Sequence, residues 1–225
     1  VLMDPYGGPA GRRVLAALDG YVSSQWWANQ GYAVVIADGR GTPGRDPAWD
    51  HSIHLDKGDA ALADQIVALH AAAEAFPDLD LRRVGIRGWS YGGYLSALAV
   101  LRRPDVFHVA VAGAPVTDVY LYDTHYQERF LGHPAEHADV YDRGSLIADA
   151  PNLSRPLMLI HGLADDNVLP AHTLRLSAAL VAAGRPHTVL PLPAASHMPT
   201  DTNVVANLFA LQAEFLARAL CPPGG

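Results

Sequence analysis

Short, continuously apolar runs alternate along this chain with longer stretches whose apolar residues recur at helical spacing. The runs occupy 1–4 (VLMD), 32–38 (YAVVIAD), 83–89 (RVGIRGW), 108–115 (HVAVAGAP), 156–162 (PLMLIHG) and 187–193 (HTVLPLP). None alternates apolar with polar positions, so each predicts a strand covered on both faces, the habit of a parallel sheet. Helices are predicted at 58–76, stopped by Pro77, and at 90–104, ended by Pro104. A third runs over 170–184, with Pro170 at its start and Gly184 at its end, and a fourth over 202–220. Strand-helix alternation of this kind predicts an α/β fold, a mostly parallel sheet with helices on both faces.

One segment departs from the rhythm. Residues 116–150 follow a predicted strand, carry Tyr120, Tyr122, Tyr126 and Tyr141, and show no strand pattern of their own. They read as an insertion at the carboxyl edge of the sheet. The tail CPPGG reads as a frayed end, and no repeat or low-complexity segment is present.

Composition narrows the function classes. With half the residues apolar and 17% charged, the 225 residues suit a single globular domain. A formal net charge of −7 and scattered arginines argue against nucleic acid; Lys57 is the only lysine. No apolar run is long enough to span a membrane and no signal peptide opens the chain, so no membrane association is expected. The lone Cys221 allows no intrachain disulfide and favours a reducing, cytoplasmic setting. The start at Val1, without an initiator Met, reads as the C-terminal part of something longer.

The candidate chemistry centres on RGWSYGGYLS, residues 87–96, with Gly88, Ser90 and Gly92 in Gly-x-Ser-x-Gly spacing. Chance gives about 0.07 such matches for this composition. The motif also lies where a strand gives way to a helix, the setting of a nucleophile elbow. A serine capping a helix N-terminus makes the same local pattern, and the two readings differ in what the hydroxyl does. A nucleophilic serine needs a base and an orienting acid, which in this fold come later in the order Ser, Asp, His. The loop after 156–162 offers Asp165 and Asp166, and the loop after 187–193 offers His197. Asp165 lies nearer the strand end and is the better candidate acid. For the oxyanion, the fold supplies the amide after the nucleophile, Tyr91, and a donor from the loop after the first strand, PYGGP, where Tyr6 sits; that loop reads equally well as a plain turn.

Taken together, PYGGP, DGRGT (38–42), GWSYGGY (88–94), YDTHYQERFLG (122–132), HGLADDNV (161–168) and His197 resemble the prolyl oligopeptidase family, S9 serine peptidases, in its dipeptidyl peptidase 4-like branch. The resemblance implies an α/β-hydrolase catalytic domain over 1–225 with Ser90 as nucleophile, Asp165 as acid and His197 as base. It implies an oxyanion hole of Tyr6 and Tyr91. Tyr122 and Tyr126 match the walls of a proline-sized pocket, with Val116, Val119 and Val168 nearby, and Asn167 matches the residue that holds the preceding carbonyl. Four residues apart, the two tyrosines would share a face if the segment is helical.

Three departures stand out. Ser196 and Met198 flank the histidine where the family has an acidic residue and a glycine, and Val119 replaces an aromatic, which widens the pocket. The family's N-terminal β-propeller, which binds the substrate's amino terminus, and the first strands of the hydrolase fold are expected to be missing from these residues.

The expected function is hydrolysis of peptide bonds after proline or a small residue through an acyl-enzyme, with a peptide substrate, no cofactor and a possible homodimer. A carboxylesterase or acylaminoacyl-peptidase-like hydrolase would use the same triad, and a non-catalytic interaction domain would keep only the fold. His51, His54, His125, His133 and His137 lack the ligand spacing of a metal site, and no metal is expected.

Overall fold

The computed structural model describes residues 1–221; the last four residues of the tail, 222–225, lie outside the described residues. Six strands, all parallel, form one sheet in the order β2-β1-β3-β4-β5-β6. They are β1 (Leu2–Met3), β2 (Val34–Val35), β3 (Gly85–Trp89), β4 (Val109–Gly113), β5 (Leu157–Gly162) and β6 (Thr188–Leu192), one inside each apolar run. Among the described residues the eight α-helices are α1 (Val22–Asn29), α2 (Pro47–His51), α3 (Asp59–Ala75), α4 (Tyr91–Arg102), α5 (Thr124–Leu131), α6 (Ala138–Gly144), α7 (Ala171–Ala182) and α8 (Thr202–Leu220).

Because successive strand residues point to opposite faces, the runs of β1 to β5 feed two cores. At the sheet edge, β6 packs only Leu190 and Leu192 and leaves Thr188, Val189 and Pro191 exposed, so the expectation of a doubly covered strand does not hold for 187–193. On one face Met3, Ala110, Ala112 and Leu159 pack with Leu62 and Leu69 of α3, Leu95 and Leu98 of α4, and Leu176 and Leu180 of α7. On the other, Leu2, Val109, Val111 and Ile160 meet Trp27 of α1 and Leu208 and Leu216 of α8. Each fully buried leucine contributes about 1.5–3 kcal/mol of transfer free energy. The small residues of β4 let α4 press onto the strand: a Cβ on Gly93 would run into the carbonyl of Gly113.

The strand order places the site. From β1 the chain runs out to β2 at one edge, then returns to β3 on the other side of β1. Loops leaving β1 and β3 therefore diverge, and a crevice opens at their carboxyl ends, the switch point where open α/β sheets bind ligands. Pro5–Pro9 and Ser90 lie there. The two strands are also tied by Asp4, just past β1, whose buried carboxylate accepts from Arg87 of β3 at 2.8 Å and from Arg13 at 2.9 Å.

The segment 116–150 holds α5 and α6 and no strand, and closes a small core of its own around Val119, Leu131, Val140 and Tyr141. Helices α1, α2, α5 and α6 are not predicted by the apolar periodicity. Helix α1 is short and anchored by Trp27, and α2 is a single turn with Pro47 at its start, capped by the Asp46 side chain on the Trp49 amide. No helix among the described residues is long and apolar enough to cross a membrane.

Candidate active site

Ser90 stands between β3 and α4 with φ 59° and ψ −117°, a backbone conformation that non-glycine residues rarely adopt. Its amide donates to the Gly113 carbonyl at 2.8 Å and its carbonyl accepts from the Tyr94 amide at 2.9 Å, which pins the strained turn at both ends. The motif glycines make the turn sterically feasible. A Cβ on Gly88 would run into the Gly92 backbone, and one on Gly92 would stand 2.5 Å from the Pro5 carbonyl oxygen. The Ser90 side chain makes no capping hydrogen bond to α4. Its hydroxyl is therefore not used as a helix cap, and the strained turn presents it at the crevice.

Asp165 is 3% exposed on the loop after β5. Its Oδ1 accepts from the amides of Asn167 and Val168 at 3.0 and 2.9 Å, and its Oδ2 accepts from His197 Nδ1 at 2.8 Å. A carboxylate held by two amides fixes the tautomer of the histidine that meets it. Nδ1 carries the proton, and Nε2 is left with its lone pair. Asp166 is exposed and plays no part in this arrangement. The His197 loop is clasped from below, because Trp89 Nε1 donates to the His197 carbonyl at 2.6 Å and Gly162 leaves room for the carbonyls of Ala195 and Ser196. No hydrogen bond joins Ser90 Oγ to His197 in this arrangement; such contacts tighten when substrate binds.

The ring of Tyr6 lies 5.9 Å from that of Tyr91, at the start of α4. Burial, then the neighbouring Tyr122, raises the pKa of the Tyr6 phenol, so it stays a neutral donor at physiological pH. Gly8 of the same loop lies flat against the Tyr91 ring, where a Cβ would not fit.

Tyr122 and Tyr126 meet edge to face with centroids 5.5 Å apart. The condition that the segment be helical at both tyrosines is not met. Tyr122 is extended, and α5 starts at Thr124 because the Asp123 side chain caps it on the Tyr126 amide. The rings still converge. Tyr122 donates its hydroxyl to Asn167 Oδ1 at 3.1 Å, and Val116, Val119 and Val168 are each buried. Burial raises the pKa of both phenols, and for Tyr122 the bond to Asn167 works against that rise.

The sequence reading missed His161 and the clasp by Trp89. His161 ends β5 buried; its Nε2 donates to the Val168 carbonyl at 2.7 Å, and its Nδ1 accepts from the Thr173 hydroxyl at 2.7 Å. Desolvation lowers its pKa, so it closes the Asp165 loop as a neutral ring, with Nε2 also 3.4 Å from Asp165 Oδ2. The one available signal was a polar residue inside an otherwise apolar run.

A strained serine at the carboxyl end of a central strand, with an Asp-His pair on the two following loops, defines the α/β-hydrolase class. The comparisons with known proteins narrow the class. A sequence model described as the prolyl oligopeptidase family, Peptidase S9, matches residues 20–222. Human dipeptidyl peptidase 8 is 41% identical over 197 residues, covering 85% of this chain and 22% of that protein. Human prolyl endopeptidase FAP is 32% identical over 186 residues, covering 81% of this chain and 24% of that protein. The crystal structure of Porphyromonas gingivalis dipeptidyl peptidase 4 superposes with a TM-score of 0.89 at 35% identity, covering 97% of this chain and 31% of that one. This chain belongs to the prolyl oligopeptidase family. It spans less than a third of the length of each of these relatives.

Proposed function

We propose that this chain is the catalytic part of a serine peptidase that cleaves peptide bonds after proline or a small residue. The observation that carries the reading is Ser90, held in a strained turn with its hydroxyl not used to cap the helix. Ser90 Oγ attacks the scissile carbonyl while His197 Nε2 takes its proton, and Asp165 stabilises the resulting imidazolium through Nδ1. The amide of Tyr91 and the hydroxyl of Tyr6 donate to the tetrahedral oxyanion, each such donor lowering the barrier by about 2.7–4 kcal/mol. His197 then protonates the leaving amine, and water releases the acyl group from Ser90.

Tyr122 and Tyr126, with Val116, Val119 and Val168, form a flat apolar slot for the P1 side chain. Because Asn167 Oδ1 already accepts from Tyr122, its amide NH2 is free to donate to the carbonyl of the preceding residue. The peptidases among the relatives support a peptide substrate.

Labelling with a fluorophosphonate probe, followed by peptide mapping, tests the nucleophile: the adduct belongs on Ser90, and its absence overturns the enzyme reading. A prolyl nitroanilide set against a short-chain nitrophenyl ester tests the substrate class. Turnover of the ester alone would replace the peptidase by an esterase.

A further inference from the structure

Lys57, the only lysine of the chain, is 7% exposed in the segment between α2 and α3. Among the described residues no carboxylate comes within 4.0 Å of its ammonium. Instead Nζ stands 5.3 Å from the centroid of the Tyr91 ring and 4.8 Å from that of Tyr94. The backbone of the same residue holds Tyr91, whose hydroxyl donates to the Lys57 carbonyl. Gly144 packs on the Lys57 stem and on Val119. Tyr91 and Val119 both belong to the substrate region, so Lys57 lies directly behind it.

A small pocket of about 10 Å³ lies beside Lys57; Asp56, Lys57, Tyr91, Tyr126 and Gln127 line it, with apolar side chains such as Phe130 completing its wall, and it shares Tyr91 and Tyr126 with the substrate region. The space suits one small polar atom. Gln127 is 2% exposed, and its Nε2 has no hydrogen-bond partner among the described residues. The pocket thus holds two nitrogen donors with no hydrogen-bond acceptor among the described residues, beside an Asp56 carboxylate whose oxygens already accept from backbone amides.

We propose, resting on the peptidase reading above, that Lys57 determines P1 specificity: with Gln127 it receives a hydrogen-bond acceptor on the P1 residue, and the strength of that preference follows its protonation. A charged donor binds such an acceptor better than a neutral amine does, by about fivefold. Desolvation lowers the Lys57 pKa to about 7, which places the change within the working range of a peptidase.

The groups around Lys57 do not share this titration. Burial raises the Tyr91, Tyr94 and Tyr126 phenols, which stay neutral, and lowers His172 to about 4. The Asp56 carboxylate is committed to the amides of Gly58, Asp59 and Ala60 at 3.0, 2.8 and 2.9 Å. Asp59 pairs with Arg102 at 2.7 Å, and Arg143 with Asp139 at 3.3 Å.

The test compares kcat/KM for two substrates that differ at P1, proline and trans-4-hydroxyproline, across pH. Their ratio cancels the ionisation of His197 and the active fraction of each preparation. The ratio should favour hydroxyproline about fivefold more below pH 7 than well above it. In Lys57→Leu it should be flat and low, and in Lys57→Arg flat and high. A flat ratio in the natural chain, or an unchanged pH dependence in Lys57→Leu, overturns the proposal. A second readout needs no turnover. Lysine labelled with 13C at Cε gives a single resonance from this chain, which should titrate near 7 rather than 10.5 and shift when a prolyl phosphonate occupies Ser90. A midpoint near 10.5, or no shift on adduct formation, overturns the specificity proposal alone. Loss of both turnover and adduct overturns the peptidase reading, and this one with it.

Discussion

The indole of Trp89 donates to the main-chain carbonyl of His197 at 2.6 Å, although 108 positions separate them in the chain. The residue before the strained serine therefore holds the loop that carries His197. A Phe in place of Trp89 keeps most of the packing and loses this one bond. We expect kcat/KM to fall about 2- to 15-fold, mainly in kcat, with the fold intact by circular dichroism.

Asp165 accepts two backbone amides as well as His197, so its removal acts on the tautomer and on the loop together. Asp165→Asn retains the shape but presents the histidine with an ambiguous partner. A loss of about 10⁴ in kcat is expected, read from nitroanilide turnover, with slow phosphonate labelling of Ser90 retained.

Tyr6→Phe removes only a hydroxyl at the crevice. If that hydroxyl serves the oxyanion, kcat should fall about 10²- to 10³-fold while KM changes little. A raised KM with kcat unchanged would instead place Tyr6 in ground-state binding.

Gly93 permits the close approach of α4 to β4, since a Cβ there would meet the Gly113 carbonyl. Gly93→Ala should cost about 1–3 kcal/mol, seen as a fall in Tm of several degrees. An unchanged Tm would show that the helix can shift at no cost.

Lys57 also makes a prediction about stability. Its folded pKa of about 7 lies below the unfolded value of 10.5. Below the folded value both states are charged, and the folded chain bears the whole desolvation cost. Between the two values the unfolded chain keeps the proton that the folded chain releases, so this contribution to stability rises with pH and levels off above 10.5. Lys57→Met should therefore raise Tm at about pH 6 and have little effect above the unfolded pKa, as measured by thermal melts across pH.

The layering of the molecule was legible in the sequence, because a doubly covered strand must be apolar throughout and a packed helix must repeat its apolar face. All six strands fall within the apolar runs, and the four long helices fall where periodicity and proline punctuation put them. The placement of Ser90, Asp165 and His197 directly after β3, β5 and β6 was legible for a related reason: local pattern reveals where strands end. The motif letters could not say whether the serine caps a helix; its backbone torsion and free side chain answered that.

Other features belong to the tertiary structure alone. The strand order that opens the crevice between β1 and β3 depends on pairings between segments far apart in the chain, on which periodicity is silent. Tyr122 meets Tyr126 from outside the helix, because Asp123 caps the helix between them. His161 and Lys57 are polar residues whose surroundings come from other elements: Thr173 of α7 for one, Tyr91 and Tyr94 of α4 for the other. Sequence determined which segments become strands and helices and which residue types stand at their ends. Only long-range packing decided which side chains meet and which of them lose their water, because solvation and contact depend on neighbours that local sequence does not specify.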